Sequence, residues 1–202
     1  MDDIVKQALA KWPNVPHCYG WLGLDARGNW RMRDERAQHL NLPGDKLTHG
    51  ALVAFIVRNY AADERGCWYF QNGPQRVYVQ LEATPYIVRT DPDSEHGWTL
   101  HTGAALGGID EAVLTETGAL VLRSGDVVAQ LDDRDFAHVL PQLQMNGEPV
   151  DDEALLAWLE GDELPPVALT LCERGRQIAV QRMAGADLPA RFGYVSVPSA
   201  PT

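Results

Sequence analysis

The chain has 202 residues, 45% of them apolar, enough for a packed core and too many for a globally disordered chain. It carries 28 acidic against 17 basic side chains, a net charge of −11, with no long basic block. Such a surface repels phosphate backbones and anionic membranes, so the expectation is no nucleic acid and no membrane among its partners.

Cys18, Cys67 and Cys172 are odd in number and far apart, which fits neither a disulfide scaffold nor a metal knot. They suit a reducing compartment. Asp2 and Asp3 stand where a signal peptide would want positive charge. No run approaches the roughly 20 apolar residues of a membrane span. A cytoplasmic protein is expected.

In chain order, Asp2 to Trp12 reads as a short helix with Ile4, Val5, Ala8, Leu9 and Trp12 on one face, stopped by Pro13. Tyr19 to Asp25 and Asn29 to Arg33 form a hairpin around Ala26-Arg27-Gly28. Arg27, Arg31, Arg33 and Arg36 make a local basic patch, either solvated strand residues or a site for an anion or acidic partner. Asp34 to Lys46 lacks periodicity and reads as a loop.

The strongest signals run from Thr48 to Arg89, one helix feeding three strands. Thr48 is the expected N-cap, Leu52, Phe55, Ile56 and Tyr60 share a helical stripe, and the helix should end near Ala61-Ala62. Cys67 to Gln71 is an aromatic strand. Asn72-Gly73 predicts a type I′ hairpin, with Pro74 at its end. On the return strand Val77, Val79 and Leu81 face the core, while Arg76, Tyr78, Gln80 and Glu82 face the other way. That second face is either a solvated sheet surface or a recognition surface.

The pieces Asp-x-x-Gly-x-Trp-Tyr-Phe, Gly-Pro-x-Arg-Val-Tyr-Val and Leu-Glu-x-Thr-Pro-Tyr between Arg58 and Val88 resemble a family of uncharacterised proteobacterial proteins of unknown function. Tyr19-Gly-Trp-Leu, Trp30-Arg and Leu188-Pro-Ala-Arg-Phe-Gly-Tyr are similar to it too, so the resemblance covers most of the chain. More distantly, the core resembles a second uncharacterised bacterial family. There a helix ending in Arg-Arg-Asp-x-x-Gly-Tyr-Tyr precedes a Thr-Pro-x-Glu hairpin and a Val-Glu-Asp-Ala-Pro-Phe strand. That resemblance implies tandem repeats and a role in signalling. The chain departs from it in the hairpin, where Asn72-Gly73-Pro74-Gln75 replaces Thr-Pro-x-Glu. Neither resemblance supplies catalytic residues.

Asp91 to Gly97 is the best linker in the chain. Beyond it, Glu111 to Thr115 and Ala119 to Arg123 read as a hairpin, and Asp132 to Leu143 as a helix with an acidic first turn. Asp151 to Glu160 is a second helix, with Leu155, Leu156 and Leu159 apolar and Gly161 ending it. Val167 to Cys172 and Gln177 to Arg182 make another hairpin, and Leu188 to Val195 a closing strand. The expected fold is α+β in two tandem units, residues 1–95 and 96–202, each with antiparallel strands on one or two helices, the second a possible duplication of the first.

Phosphate-binding, zinc-protease and serine-hydrolase signatures are absent. Gly103, Gly107 and Gly108 read as a plain loop. His17 and Cys18, adjacent in an extended segment, point to opposite faces and do not make a dyad. Asp132, Asp133 and Asp135 have a reason in the helix dipole, and His96, His101 and His138 lack metal spacing. No metal and no cofactor are expected.

The leading expectation is a ligand- or protein-binding adaptor without catalysis, acting as monomer or homodimer. Its surface would gather Arg58, Asn59, Tyr60, Gln71, Asn72, Arg76 and Tyr78, or lie in a cleft between the halves. Replacing Arg76 and Tyr78 together should then abolish binding without moving the thermal midpoint. The alternatives are a cofactor-free enzyme using buried carboxylates such as Glu82 or Asp110, and a structural protein that self-assembles through an apolar patch.

Overall fold

The computed structural model describes residues 1–161 and 168–201. Val167, expected to open a strand, lies outside the described residues, as does Thr202. The chain forms two compact units, residues 1–85 with 192–202, and residues 86–191. Both are α+β, as the sequence predicts, and most strand pairs are antiparallel.

The first unit runs α1 (Asp3–Lys11), β1 (Cys18–Leu24), β2 (Trp30–Met32), α2 (Glu35–His39), β3 (Asp45–Lys46), α3 (Gly50–Arg58), β4 (Tyr60–Ala62), β5 (Trp68–Asn72) and β6 (Gln75–Leu81). Its sheet has the order β3-β2-β1-β6-β5-β4, with β1 and β6 parallel. The core is Leu22, Leu24, Trp30, Ile56, Phe70, Val79 and Leu81, and Phe55 of α3 packs edge-on against Phe70.

Several local expectations change here. In α1 only Val5 is buried: Ile4 is exposed because it sits 100° from Val5 around the helix, and Trp12 is exposed beyond the last helical residue, Lys11, with non-helical φ -132 and ψ 72. The segment taken for a loop after Asp34 contains α2, a short helix capped by the Asp34 carboxylate, which accepts from Ala37 N at 2.8 Å. His49, not Thr48, caps α3: its Nδ1 accepts from Leu52 N at 3.2 Å. The helix stops at Arg58, since Tyr60 to Ala62 pairs with β5, and the Tyr60 position that fits a helical stripe also fits a strand facing Phe70. The β5–β6 turn is Gly73-Pro74, because Asn72 pairs with Gln75. Gly73 has φ +56 at the first central position, the pattern of a II′ rather than a I′ turn.

Two arginines of the basic patch, Arg31 and Arg33, are engaged internally. Arg31 pairs with Asp25 at 2.8 Å, and buried Arg33 donates to Leu42 O at 3.0 Å. Gly44 fits beside this strand only as glycine: its φ is +82 and a Cβ would lie 2.2 Å from Met32 O. Gly44→Ala should therefore cost more than about 1 kcal/mol, read as a lower urea midpoint for the first unit. An unchanged midpoint would mean the β2–β3 contact adds nothing.

The second unit runs β7 (Tyr86–Thr90), β8 (Trp98–Leu100), β9 (Glu111–Thr115), β10 (Leu120–Ser124), β11 (Val127–Leu131), α4 (Phe136–Val139), β12 (Leu143–Met145), β13 (Glu148–Pro149), α5 (Asp152–Glu160), β14 (Leu169–Glu173), β15 (Arg176–Met183) and α6 (Leu188–Phe192). Its sheet order is β13-β12-β14-β15-β9-β10-β11-β7-β8, with β9–β15 and β7–β11 parallel. Every residue of β9 is buried, as expected for the middle of a sheet. Leu114, Leu122, Leu143 and Leu171 lead the core.

Asp91 to Gly97 is not a linker but the turn between β7 and β8, where Thr90 pairs with Trp98. The helix expected from Asp132 to Leu143 is broken: a 3-10 turn over Asp133–Asp135 precedes the four-residue α4, and another 3-10 turn around Pro141 follows. Leu188 to Phe192 is helical, and Val195 keeps only an isolated bridge to Cys67 in place of a strand. Helix α5 has its expected ends, with Asp151 accepting from Ala154 N and Gly161 left-handed at φ +81. Leu155 is buried, but Leu156 is 60% exposed. Among the described residues no helix is long and apolar enough to cross a membrane.

Candidate functional site

Antiparallel pairing of β5 with β6 sets Tyr69 opposite Tyr78 and Gln71 opposite Arg76. The two-residue strand period puts these four on one face, with Phe70 and Val77 on the other. Parallel pairing of β1 with β6 then brings Tyr19 over Tyr78, where the rings stack at 4.6 Å with planes 3° apart. Tyr69 meets Tyr78 edge-on at 5.8 Å, and so does His17.

Asp63 ties this face together. Its carboxylate accepts from the Arg65 and Cys67 amides at 3.0 Å, from the Tyr78 hydroxyl at 2.9 Å, and from the Arg65 guanidinium at 3.1 Å. Burial pushes the Asp63 pKa up, but the Cys67 amide, the Tyr78 hydroxyl and Arg65 together hold it below the usual carboxylate value. Burial raises the Tyr78 phenol, which stays protonated and donates.

Two guanidiniums lie on the rings. Arg65 is 5.6 Å from the Tyr78 ring centre, and Arg76 is 4.5 Å from that of Tyr69. Arg65 is committed to Asp63, whereas Arg76 forms no ion pair among the described residues. Burial opposes the Arg76 charge, but the Tyr78 hydroxyl and nearby Asp63 more than offset this. Asp63, Glu64, Arg65, Tyr69 and Arg76, with Ala62, line an open cleft of about 460 Å3.

The residues singled out in the sequence separate into four places. Arg76, Tyr78 and Gln71 share the tyrosine face. Tyr78 is only 2% exposed and Gln71 is fully buried, its Nε2 donating to Gly73 O at 2.9 Å. The Gln71 Oε1 has no hydrogen-bond partner among the described residues. Asn72 is exposed at the hairpin end. Arg58 and Asn59 hold the N-terminus instead: Arg58 pairs with Asp2 at 3.3 Å, and buried Asn59 accepts from Asp2 N at 2.8 Å. Tyr60 lies across the sheet, edge-on to Trp30 at 5.1 Å, with its hydroxyl on Pro85 O at 2.9 Å. The expectation that Arg76 and Tyr78 can both be removed without loss of stability does not survive, because Tyr78 is a core residue.

Tyr19, Asp63, Arg65 and Tyr69 are the residues that sequence reasoning missed. Tyr69 was within reach, two positions from Gln71 on the same strand face. Asp63 carried a signal in its turn, an Asp followed two residues later by an amide it can bind. Tyr19 carried none, since its place depends on the β1–β6 pairing.

The carboxylates expected for catalysis are exposed, not buried. Glu82 accepts from Ala26 N at 3.3 Å and Asp110 from Gly125 N at 2.7 Å. The buried ones are Asp25, Glu111, Asp132 and Glu173, and each is held by protein donors: Arg31, Arg123 with Arg191, Arg89 with Arg134, and Trp98. Among the described residues no group of three or more His, Cys, Asp or Glu is placed to hold a metal ion.

The solved structures similar to this chain include a DUF1285 family protein from Silicibacter pomeroyi DSS-3, 14% identical, with 93% of this chain and 98% of that chain covered and a TM-score of 0.49. Another DUF1285 family protein, from Shewanella baltica OS155, is 16% identical over 58% of this chain and 88% of its own, with a TM-score of 0.40. Likenesses at this level say nothing of function. No curated protein matches the chain. A family model, DUF2944, described as "Protein of unknown function (DUF2946)", matches residues 1–199. The chain belongs to that family of proteins of unknown function, as the stretches between Tyr19 and Tyr194 led us to expect of an uncharacterised family.

Proposed function

We propose that this protein is a non-catalytic recognition protein, an adaptor whose working surface is the cleft beside Arg76. The observation that carries this is the Arg76 guanidinium, laid on Tyr69 and held by two rigid strands, with no carboxylate of the chain's own described residues paired to it. A planar, preorganised guanidinium is built to take a carboxylate in a two-pronged hydrogen bond. Tyr and Arg together are also the residues that anchor protein interfaces. The occupant proposed is a partner protein presenting a carboxylate. In this reading Arg76 makes the contact, and Tyr78 and Gln71 position the strand beneath.

Duplication of one α+β unit is part of the same proposal. It is supported by strand order: β3-β2-β1-β6-β5-β4 in the first unit matches β11-β10-β9-β15-β14-β12 in the second, and in each the first strand of one hairpin, β1 or β9, pairs in parallel with the last strand, β6 or β15. A cytoplasmic setting is supported by three free thiols. A signalling role rests on the sequence resemblance alone.

The test is affinity capture from the host's own lysate with wild type, Arg76→Ala and Arg76→Lys, quantified by mass spectrometry. A partner retained by wild type should fall about tenfold or more with either variant, because lysine keeps the charge but not the fork. Equal retention by all three would overturn the assignment.

A further inference from the structure

The second unit contains a cavity of about 640 Å3, within the size range of small-molecule sites. Its lining comes from the β7–β8 turn, the α4 helix and the tip of the β14–β15 hairpin. Trp98 is a wall only 3% exposed, held by its Nε1 donating to the buried Glu173 carboxylate at 2.6 Å.

The carboxylates that line this cavity are already occupied. Glu173 also accepts from Ile109 N at 3.3 Å. Asp91 accepts from the Thr99 hydroxyl at 2.5 Å and from Asp93 N at 3.1 Å. Asp135 accepts from Thr90 N at 2.8 Å and from the Thr90 hydroxyl at 3.0 Å. The unspent capacity is on donors. Arg174 gives one bond, to Ser94 O at 3.3 Å, and pairs with no carboxylate among the described residues. His138 approaches the Thr90 hydroxyl only at 3.4 Å, and His96 also lines the space.

Backbone conformation points the same way. Arg174 and Gly175 form the two-residue turn between Glu173 and Arg176, with φ of +47 and +80. Such a turn favours Asn, Asp or Gly at its first position, and a long side chain there is strained. Turn formation does not explain an arginine at this position, and strained residues gather at ligand sites.

We infer that this cavity binds a small oxyanion, the carboxylate or phosphate of a metabolite, with Arg174 as the anchoring donor and His96 and His138 as supporting donors. The site is independent of the Arg76 cleft.

The experiment is isothermal titration of the full chain with inorganic phosphate and with succinate, at ionic strength fixed with chloride. Wild type should bind at least one probe with a Kd near or below about 1 mM. Phosphate alone would mark a phosphate site, succinate alone a carboxylate site, and both a general oxyanion site. Arg174→Gly should weaken binding about tenfold or more while keeping or raising the thermal midpoint, since glycine relieves the turn. Arg76→Ala should bind as wild type does. No heat with either probe at about ten times that concentration, or equal binding by Arg174→Gly, would overturn the inference.

Discussion

Tyr78→Ala is expected to lower the stability of the first unit by about 3–5 kcal/mol, as for other large buried aromatics cut back to alanine. Tyr78 is 2% exposed, stacks on Tyr19 and meets Tyr69 and His17 edge-on. Removing it opens a cavity beneath three rings and leaves Asp63 without its 2.9 Å hydroxyl donor. Tyr78→Phe isolates the second effect and should cost about 1 kcal/mol, one hydrogen bond. Arg76→Ala loses a cation–π contact with Tyr69 worth about 0.5–1 kcal/mol, together with its interaction with the Tyr78 hydroxyl. The measurement is urea unfolding of the three variants, following the transition of the first unit. A Tyr78→Ala midpoint equal to wild type would mean the tyrosine face is not core. The contrast separates two residues that strand alternation alone treats as equals: Tyr78 is buried within the sheet, whereas Arg76 lies on Tyr69 and lines the cleft.

Asp132→Ala should destabilise the second unit by about 2–4 kcal/mol. Asp132 has no exposed surface, yet its carboxylate serves Arg89 at 2.9 Å, the Arg134 Nε at 2.8 Å and the Arg134 amide at 3.2 Å. Both guanidiniums are about half exposed, so solvent moderates the loss on their side, and the larger share is the cap and the buried hydrogen bonds. Burial pushes the Asp132 pKa up, but the Arg134 side chain and amide and the Arg89 charge outweigh it, leaving the carboxyl well below its usual range. A depressed folded-state pKa means this stabilisation is complete above the unfolded value of about 3.9 and drains away as pH falls below it. Wild type should therefore lose stability from about pH 4 downward, and Asp132→Asn should show a shallower loss from a lower start. Parallel acid profiles for the two proteins would show that another carboxylate governs the transition.

What was legible in the sequence was what depends on neighbours along the chain. Alternation and a Gly-containing turn located the β9–β10 and β14–β15 hairpins, and Asp151 with Gly161 bracketed α5. The same rules failed where packing decides. Tyr60 fits a helical stripe and a strand equally well, and only pairing with Phe70 makes it a strand residue. Leu188 to Val195 is apolar enough for a strand, but its first part coils into α6. The parallel joining of β1 to β6 leaves no local trace, so Tyr19 was invisible as a site residue although Arg76 was in view. Arg58 and Asn59 looked like surface donors because nothing nearby in sequence shows that Asp2 will meet them.

The central claim, that a partner protein is held through Arg76, is met most directly by native mass spectrometry. Wild type and Arg76→Ala would be purified gently from the host and their spectra compared. A wild-type complex with a second protein, reduced to the bare chain in Arg76→Ala at a urea midpoint lowered by no more than the loss of about 0.5–1 kcal/mol allows, is the predicted result. A bare wild-type chain, or the same complex in both proteins, would contradict it.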